Sequence, residues 1–180
     1  MKYLDGHYYH VYNRGAHKKQ IFVESPNCAY LVSLFAKYRT RYNISISAYC
    51  LMPNHYHLIA RQNEEGDIGG FLRTTFNAYT QAFNKRYGHS GTLFQGQAKV
   101  KHVDNQKYCL QLVRYIHRNP IAMPFVSSLR DWEFSDYLEW IGLRPRLFAD
   151  FDLRDTFFKT PMEYESFVDS YTGDTEKPLK

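Results

Sequence analysis

The chain has 180 residues, 44% of them hydrophobic, which is enough for one domain with its own core and a short extension. It has no apolar run long enough to cross a bilayer, no signal-peptide pattern, and three cysteines without the spacing of a disulfide framework or zinc knuckle. The net charge of +5 is concentrated in residues 1–145, and 17% of the residues are aromatic, a combination that suits single-stranded nucleic acid.

The alternation of apolar, polar and turn residues predicts an ordered series of strands and helices. These are a strand at 7–12, a helix that begins at 25 and is broken at 43, strands at 44–52 and 55–61, a helix from 68 to 87, a strand at 98–103, a helix that follows residue 104 and runs to about 118, and a short helix at 161–171. Asp104 is the expected N-cap of the third long helix, and Pro120 is expected to end it. The strands look half-buried and joined by hairpins, which favours an α+β fold with an antiparallel sheet and helices mainly on one face.

The charge distribution also suggests how the chain is divided. Residues 1–145 are predicted to form the functional domain, and residues 146–180 an acidic C-terminal appendage with the short helix and a polar tail, 172–180, that frays.

His55 and His57 alternate along a predicted strand, so both side chains point to the same face. Two neutral imidazoles form a partial metal site. Zinc would need a third ligand, for which His89 and His102 are candidates. Two imidazoles and an amide oxygen would instead form a sparse set with open positions, which suits Mg²⁺ or Mn²⁺ taking phosphate oxygens from a substrate.

Tyr115 and Asn119 lie one turn apart on the third long helix and share a face. A tyrosine hydroxyl that attacks a phosphodiester forms a phosphotyrosine bond, which splits one step into two and keeps the bond energy for rejoining. A nearby cation polarises the phosphate. Tyr108, two turns earlier on the same face, is the alternative nucleophile.

Five segments in order make the pattern more specific. They are Tyr-His-Val-Tyr-Asn-Arg-Gly (9–15), Ala-Tyr-Cys-Leu-Met-Pro-Asn-His-Tyr-His-Leu-Ile (48–59), Gly-Thr-Leu-Phe-Gln-Gly-Gln (91–97), Tyr-Ile-His-Arg-Asn-Pro (115–120) and Trp-Glu-Phe-Ser-Asp-Tyr (132–137). Over about residues 8–140 the chain resembles the REP-associated tyrosine transposases, relatives of the insertion-sequence-200-like transposases. These are single-tyrosine enzymes of the HUH class, named for a His-hydrophobic-His motif.

This resemblance implies a ferredoxin-like or RRM-like sheet with the HUH motif on a central strand and the catalytic tyrosine on a packed helix. It implies that His55 and His57 bind Mg²⁺ or Mn²⁺, that Tyr115 is the nucleophile, and that Asn119 takes the third metal-ligand position, where relatives often have Gln. Two residues depart from the family pattern: Tyr56 fills a slot that is more often aliphatic, and Gln97 one that is often Arg.

The resemblance also implies a transposase that nicks and rejoins single-stranded DNA next to hairpins through a 5′-phosphotyrosine intermediate, without a nucleotide cofactor or a membrane partner. It would act as a monomer or homodimer in the cytoplasm, associated with the nucleoid. Basic residues near the motifs are candidate phosphate contacts: Arg14, Lys18, Lys19, Arg73, Lys99, Lys101, Arg114 and Arg118.

Two other functions stay open from sequence. One is a non-catalytic RRM-like module that binds single-stranded nucleic acid by stacking bases on aromatic rings. The other is a zinc-dependent hydrolase.

Overall fold

The computed structural model describes residues 2–172. Its elements are β1 (Tyr8–Arg14), α1 (Ser25–Arg41), β2 (Ile44–Met52), β3 (His55–Gln62), α2 (Ile68–Tyr87), β4 (Lys99–Val103), α3 (Gln106–Ala122), α4 (Tyr137–Trp140), α5 (Asp152–Phe157) and α6 (Pro161–Asp169), with 3₁₀ turns at Ala16–Lys18 and Leu129–Asp131. The predicted strands and long helices are all present, with ends that differ by a few residues. No helix in this part of the chain is long and apolar enough to cross a membrane.

The four strands form one antiparallel sheet in the order β2-β3-β1-β4. Two helices, α1 and α2, connect the strands in the ferredoxin-like arrangement, and the strand with the histidine pair, β3, is an inner one. The predicted α+β class and the central position of the HUH strand are therefore confirmed. In the register of the sheet, His57 lies opposite Tyr12 on β1 and Cys50 on β2, so these three side chains share a face.

The helices cover both faces of the sheet, whereas the sequence favoured mainly one. On the first face, α1 and α2 bury Leu31, Phe35 and Phe71 against the strands. On the second face, Val113 and Ile116 of α3 pack on the sheet together with the C-terminal segment. Helices are needed on both faces because β2 carries apolar side chains on both of its faces and is buried along almost its whole length.

The apolar clusters on the first and second faces of the sheet are called the first core and the second core. The C-terminal segment, residues 146–172, packs into the second core. Phe151, Leu153 and Tyr164 are buried there with residues of α3. Asp150 forms an ion pair of 2.8 Å with Arg61 of β3, so part of the acidic charge of this segment is used to attach it to the sheet. The predicted short helix is present as α6, and the predicted polar tail lies almost entirely outside the described residues.

A buried polar cluster holds α3 against β2 and the C-terminal segment. Asp136 accepts hydrogen bonds from the backbone N–H of Tyr49 at 2.7 Å and from the indole Nε1 of Trp140 at 3.0 Å. His117 of α3 lies 3.0 Å from Asp136 through Nε2 and 2.7 Å from the Tyr164 hydroxyl through Nδ1. Because each buried polar group has a partner, the cluster fixes the position of α3 instead of weakening the core.

Both ends of α3 differ from the prediction. The N-cap is Asn105, whose side chain accepts from the backbone N–H of Tyr108 at 3.0 Å, and Asp104 lies outside the helix. At the other end the helix continues through Pro120 to Ala122. The predicted stop was wrong because a side-chain amide, that of Asn119, supplies a donor near the place where the proline has none.

Candidate active site

The histidine pair lies at the start of β3, on the face of the sheet that α3 covers. His57 is buried and His55 is half-buried, and their ring centroids are 5.3 Å apart. Tyr56, between them, points to the opposite face, where it stacks on Phe76 of α2 with ring centroids 4.5 Å apart. The alternation predicted from the sequence is therefore confirmed, and Tyr56, the aromatic residue in the HUH motif, packs in the first core.

The helix α3 brings the predicted tyrosine and asparagine to this pair. The ring of Tyr115 meets that of His57 edge-to-face, at a centroid distance of 5.7 Å and an interplanar angle of 83°. The side chain of Asn119, one turn later, lies close enough to His55 and Tyr115 to influence the pKa of each. The four residues proposed from the sequence as nucleophile and metal ligands thus form a single cluster, although they come from two segments about 60 residues apart.

A third histidine, which the sequence analysis did not assign to the site, supports the pair from β1. His10 Nε2 lies 2.9 Å from His57 Nδ1, and the two rings stack at 5.1 Å. Tyr12 stacks on both of these rings, at centroid distances of 4.8 Å from His10 and 5.8 Å from His57. The sequence does show that Tyr8, His10 and Tyr12 alternate along one strand and so share a face. It does not show that this strand pairs with β3, which follows only from the order of the strands in the sheet.

The hydrogen bonds of the two histidines leave the same ring atom of each available. His55 Nδ1 lies 2.8 Å from Asn54 Oδ1, an atom that only accepts, so this nitrogen carries the proton. His57 Nδ1 is engaged with His10. In each ring Nε2 is then the nitrogen that can bind a cation, and the partner at Nδ1 fixes the ring orientation, as outer hydrogen-bond partners commonly do at metal sites.

Burial keeps these imidazoles in the neutral form that binds metal. It lowers the pKa of His57 well below its usual value, helped by the neighbouring His10 and His55. It also lowers the pKa of His55, and the nearby side chain of Asn119 acts against this lowering. For Tyr115, burial raises the pKa of the phenol and the nearby side chain of Asn119 opposes this rise, so the hydroxyl is protonated at neutral pH.

The fold is expected to lose stability as the pH falls from 6.5 toward 4. Burial, with the nearby charge of Lys101, lowers the pKa of His10 from 6.5 to about 4, so between these values the unfolded chain binds more protons than the folded one. The stabilisation is fully present above pH 6.5 and amounts to about 3 kcal/mol at most. Urea unfolding across this range measures it. His10→Phe should show a flatter dependence on pH, and equal slopes for the two proteins would contradict the assignment.

The donor set decides which cation fits. Within residues 2–172 there is no group of three or more His, Cys, Asp or Glu side chains that could hold a metal ion. The two candidate zinc ligands lie elsewhere: His89 Nδ1 is 3.0 Å from Asn84 Oδ1, and His102 Nε2 is 2.8 Å from His7 Nδ1. Two imidazoles and one amide oxygen remain. This sparse set fits Mg²⁺ or Mn²⁺ with positions left for phosphate oxygens better than it fits zinc.

The alternative nucleophile, Tyr108, is two turns away in the first turn of α3. Its half-buried ring packs against the second core, and its backbone N–H bonds to the N-cap of the helix. The histidine cluster has its ring contact with Tyr115. The geometry therefore favours Tyr115.

The predicted phosphate contacts divide into four groups. Lys99 and Lys101 of β4 share the sheet face of His57, with their amino groups 5.8 and 6.0 Å from the centroid of the Tyr12 ring. Arg14, Lys18 and Lys19 are exposed at the end of β1 and in the turn after it. Arg73 lies on α2 behind the sheet, where it lines a cavity with Gln97.

The remaining two, Arg114 and Arg118, are attached to the C-terminal segment. The guanidinium of Arg114 stacks 4.3 Å from the ring centroid of Phe167, and that of Arg118 donates to the carbonyl oxygen of Val168 at 2.9 Å and lies over Tyr171. Because their cationic groups are engaged within the protein, we leave both out of the proposed DNA contacts.

Comparison with known proteins gives the family. Over 135 residues the chain is 24% identical to a Haemophilus influenzae protein named as a REP-associated tyrosine transposase, and the alignment covers 65% of this chain and 76% of the relative. The fold of this chain is similar to that of a REP-associated tyrosine transposase solved bound to a REP hairpin. The TM-score is 0.64 and the identity 20%, over 85% of this chain and 93% of the other. Residues 3–119, which include the histidine pair, Tyr115 and Asn119, match the family described as IS200-like transposase. The chain belongs to the IS200-like transposase family.

Proposed function

We propose that this transposase nicks and rejoins single-stranded DNA beside a hairpin, with Tyr115 as the nucleophile. The observation that carries the proposal is the edge-to-face contact of the Tyr115 ring with His57, which puts a phenol beside two neutral imidazoles in a family of transposases. The hairpin is the substrate because the solved relative of the same fold is bound to a REP hairpin and the curated relative carries the same family name.

In the proposed reaction the Tyr115 hydroxyl attacks a backbone phosphorus. The bond from phosphorus to the phenolic oxygen forms, and the bond from phosphorus to the 3′-oxygen breaks. The phenolic proton passes to solvent, and the departing 3′-oxygen takes up a proton to become a free hydroxyl. The 5′-phosphate stays on the tyrosine, so attack by a 3′-hydroxyl reverses the step and joins two strands without a nucleotide cofactor.

Mg²⁺ or Mn²⁺ would be held by Nε2 of His55, Nε2 of His57 and the amide oxygen of Asn119, and when bound it supplies charge neutralisation at the phosphate. The protein's own part is positioning. His10 and Asn54 hold the two imidazoles in their ring orientation, and packing against His57 holds the phenol. Lys99 and Lys101, on the same sheet face, are proposed to contact the phosphates of the strand that approaches.

The test is a covalent-adduct assay with a DNA hairpin that carries single-stranded flanks and a label at its 3′ end. With Mn²⁺ or Mg²⁺ we expect a labelled protein–DNA species that survives denaturing electrophoresis, together with an unlabelled fragment ending in a 3′-hydroxyl. With EDTA we expect binding without the adduct. Stable hairpin binding with no covalent species in any divalent cation would contradict the proposed enzymatic activity and favour the non-catalytic module. Activity only with zinc would favour the zinc hydrolase.

Several expectations from the sequence stay predictions. These are the identity of the divalent cation, the monomeric or homodimeric state, the absence of a nucleotide cofactor, the cytoplasmic and nucleoid location, and the assignment of function to residues 1–145.

A further inference from the structure

The side-chain amide of Asn119 has a fixed orientation on α3. Its Nδ2 donates to the backbone carbonyl oxygens of Tyr115 at 3.0 Å and of Ile116 at 3.4 Å. Carbonyl oxygens only accept hydrogen bonds, so the NH₂ group must face the helix. The amide oxygen Oδ1 is then directed away from these two carbonyls.

This orientation follows from the residue that comes next. In an α-helix the carbonyl oxygen of residue 116 accepts from the N–H of residue 120, but residue 120 is a proline inside the helix and has no N–H. The Ile116 carbonyl is therefore left without its helical donor in a buried part of the chain, where an unpaired polar group is costly. The Asn119 amide, itself only 5% exposed, supplies the missing hydrogen bond.

The direction of the oxygen is supported by its neighbour on α3. Tyr115, one turn before Asn119 on the same face of α3, meets the ring of His57 edge-to-face at a centroid distance of 5.7 Å, so this face of the helix is turned to the histidine pair. With the NH₂ group bound to the two helix carbonyls, Oδ1 is the atom of the amide that is left to face β3.

We propose that Pro120 is a positioning residue, which leaves the Ile116 carbonyl without a helical donor and so presets Asn119 with its amide oxygen toward the histidine pair. The inference rests on the proposed function in that this oxygen is the third ligand of the proposed cation. It adds a role for a residue that touches neither the cation nor DNA.

The test is Pro120→Ala, which restores the N–H and lets it compete for the Ile116 carbonyl. We expect Tm to be unchanged or higher, because alanine suits a helix better than proline. We expect the side-chain NH₂ protons of Asn119 to exchange faster with solvent in NMR spectra. We also expect the affinity for Mn²⁺, titrated by electron paramagnetic resonance, to fall about 10-fold, which is the lower end of the effect of removing an outer hydrogen-bond partner at a metal site. Pro124→Ala, just beyond α3, is the matched control and should change neither quantity.

Pro120→Ala with wild-type NH₂ exchange, or with faster exchange but wild-type Mn²⁺ affinity, would overturn the inference. Asn119→Ala sets the affinity expected when the ligand is lost altogether. If the wild-type protein binds no Mn²⁺, the proposed function fails at that point. The exchange of the Asn119 amide still decides separately whether Pro120 sets its orientation.

Discussion

Tyr115→Phe is expected to abolish covalent adduct formation, with a fall in the rate of cleavage of about 10³-fold or more, the scale of losing a nucleophile. Phenylalanine keeps the ring that packs against His57 and removes only the hydroxyl. The fold and the affinity for the hairpin should therefore stay within about twofold of wild type, because the deleted group belongs to the chemical step. Adduct yield after denaturing electrophoresis and hairpin affinity in EDTA measure the two properties.

The matched control is Tyr108→Phe on the same helix. Its ring packs on the second core, away from the histidine cluster, so we expect wild-type adduct formation. If Tyr108→Phe abolished the adduct and Tyr115→Phe retained it, the nucleophile would be Tyr108 and the proposed site geometry would be wrong.

His55→Ala is expected to lower cleavage at least about 100-fold through loss of the cation, whose charge stabilisation is worth several kcal/mol. His55 is half-buried and has an edge-to-face contact with His57, so its truncation should leave the sheet intact. Mn²⁺ binding should weaken in parallel with cleavage. Addition of EDTA to the wild-type protein should reproduce the defect.

His102→Ala serves as the control, because it removes a histidine from another strand of the same sheet, where its partner is His7. We expect this variant to cleave and to bind Mn²⁺ as the wild type does. Undiminished cleavage by His55→Ala, or by the wild-type protein in EDTA, would exclude a role for the histidine pair in holding a catalytic cation.

The sequence predicted the local parts of the site well because each depends on a short-range rule. The period of a strand puts His55 and His57 on one face, and the spacing of a helix puts Tyr115 and Asn119 on another. The structure shows that these two faces meet. The meeting itself was expected only from the family resemblance, since nothing in the spacing shows that α3 returns to cover the second face of the sheet.

The parts that the sequence missed depend on tertiary structure. His10 becomes a neighbour of His57 only because β1 pairs with β3. A basic residue near a motif looks the same whether it faces solvent or another part of the chain, which is why Arg114 and Arg118 were counted among the phosphate contacts. The rule that proline ends a helix failed at Pro120 because a side chain supplied the hydrogen bond that the rule assumes to be lost.

The attachment of α3 has a consequence for how strands would be exchanged. The helix that carries Tyr115 is held through His117 in the buried polar cluster and through Arg114 and Arg118 on the C-terminal segment. Under the proposed reaction, a severed strand linked to Tyr115 stays at the point of cutting, since the helix that carries this tyrosine is held at Arg114, His117 and Arg118. Religation to a new partner then requires the incoming DNA to travel, and the choice of partner depends on what brings that second DNA end to Tyr115.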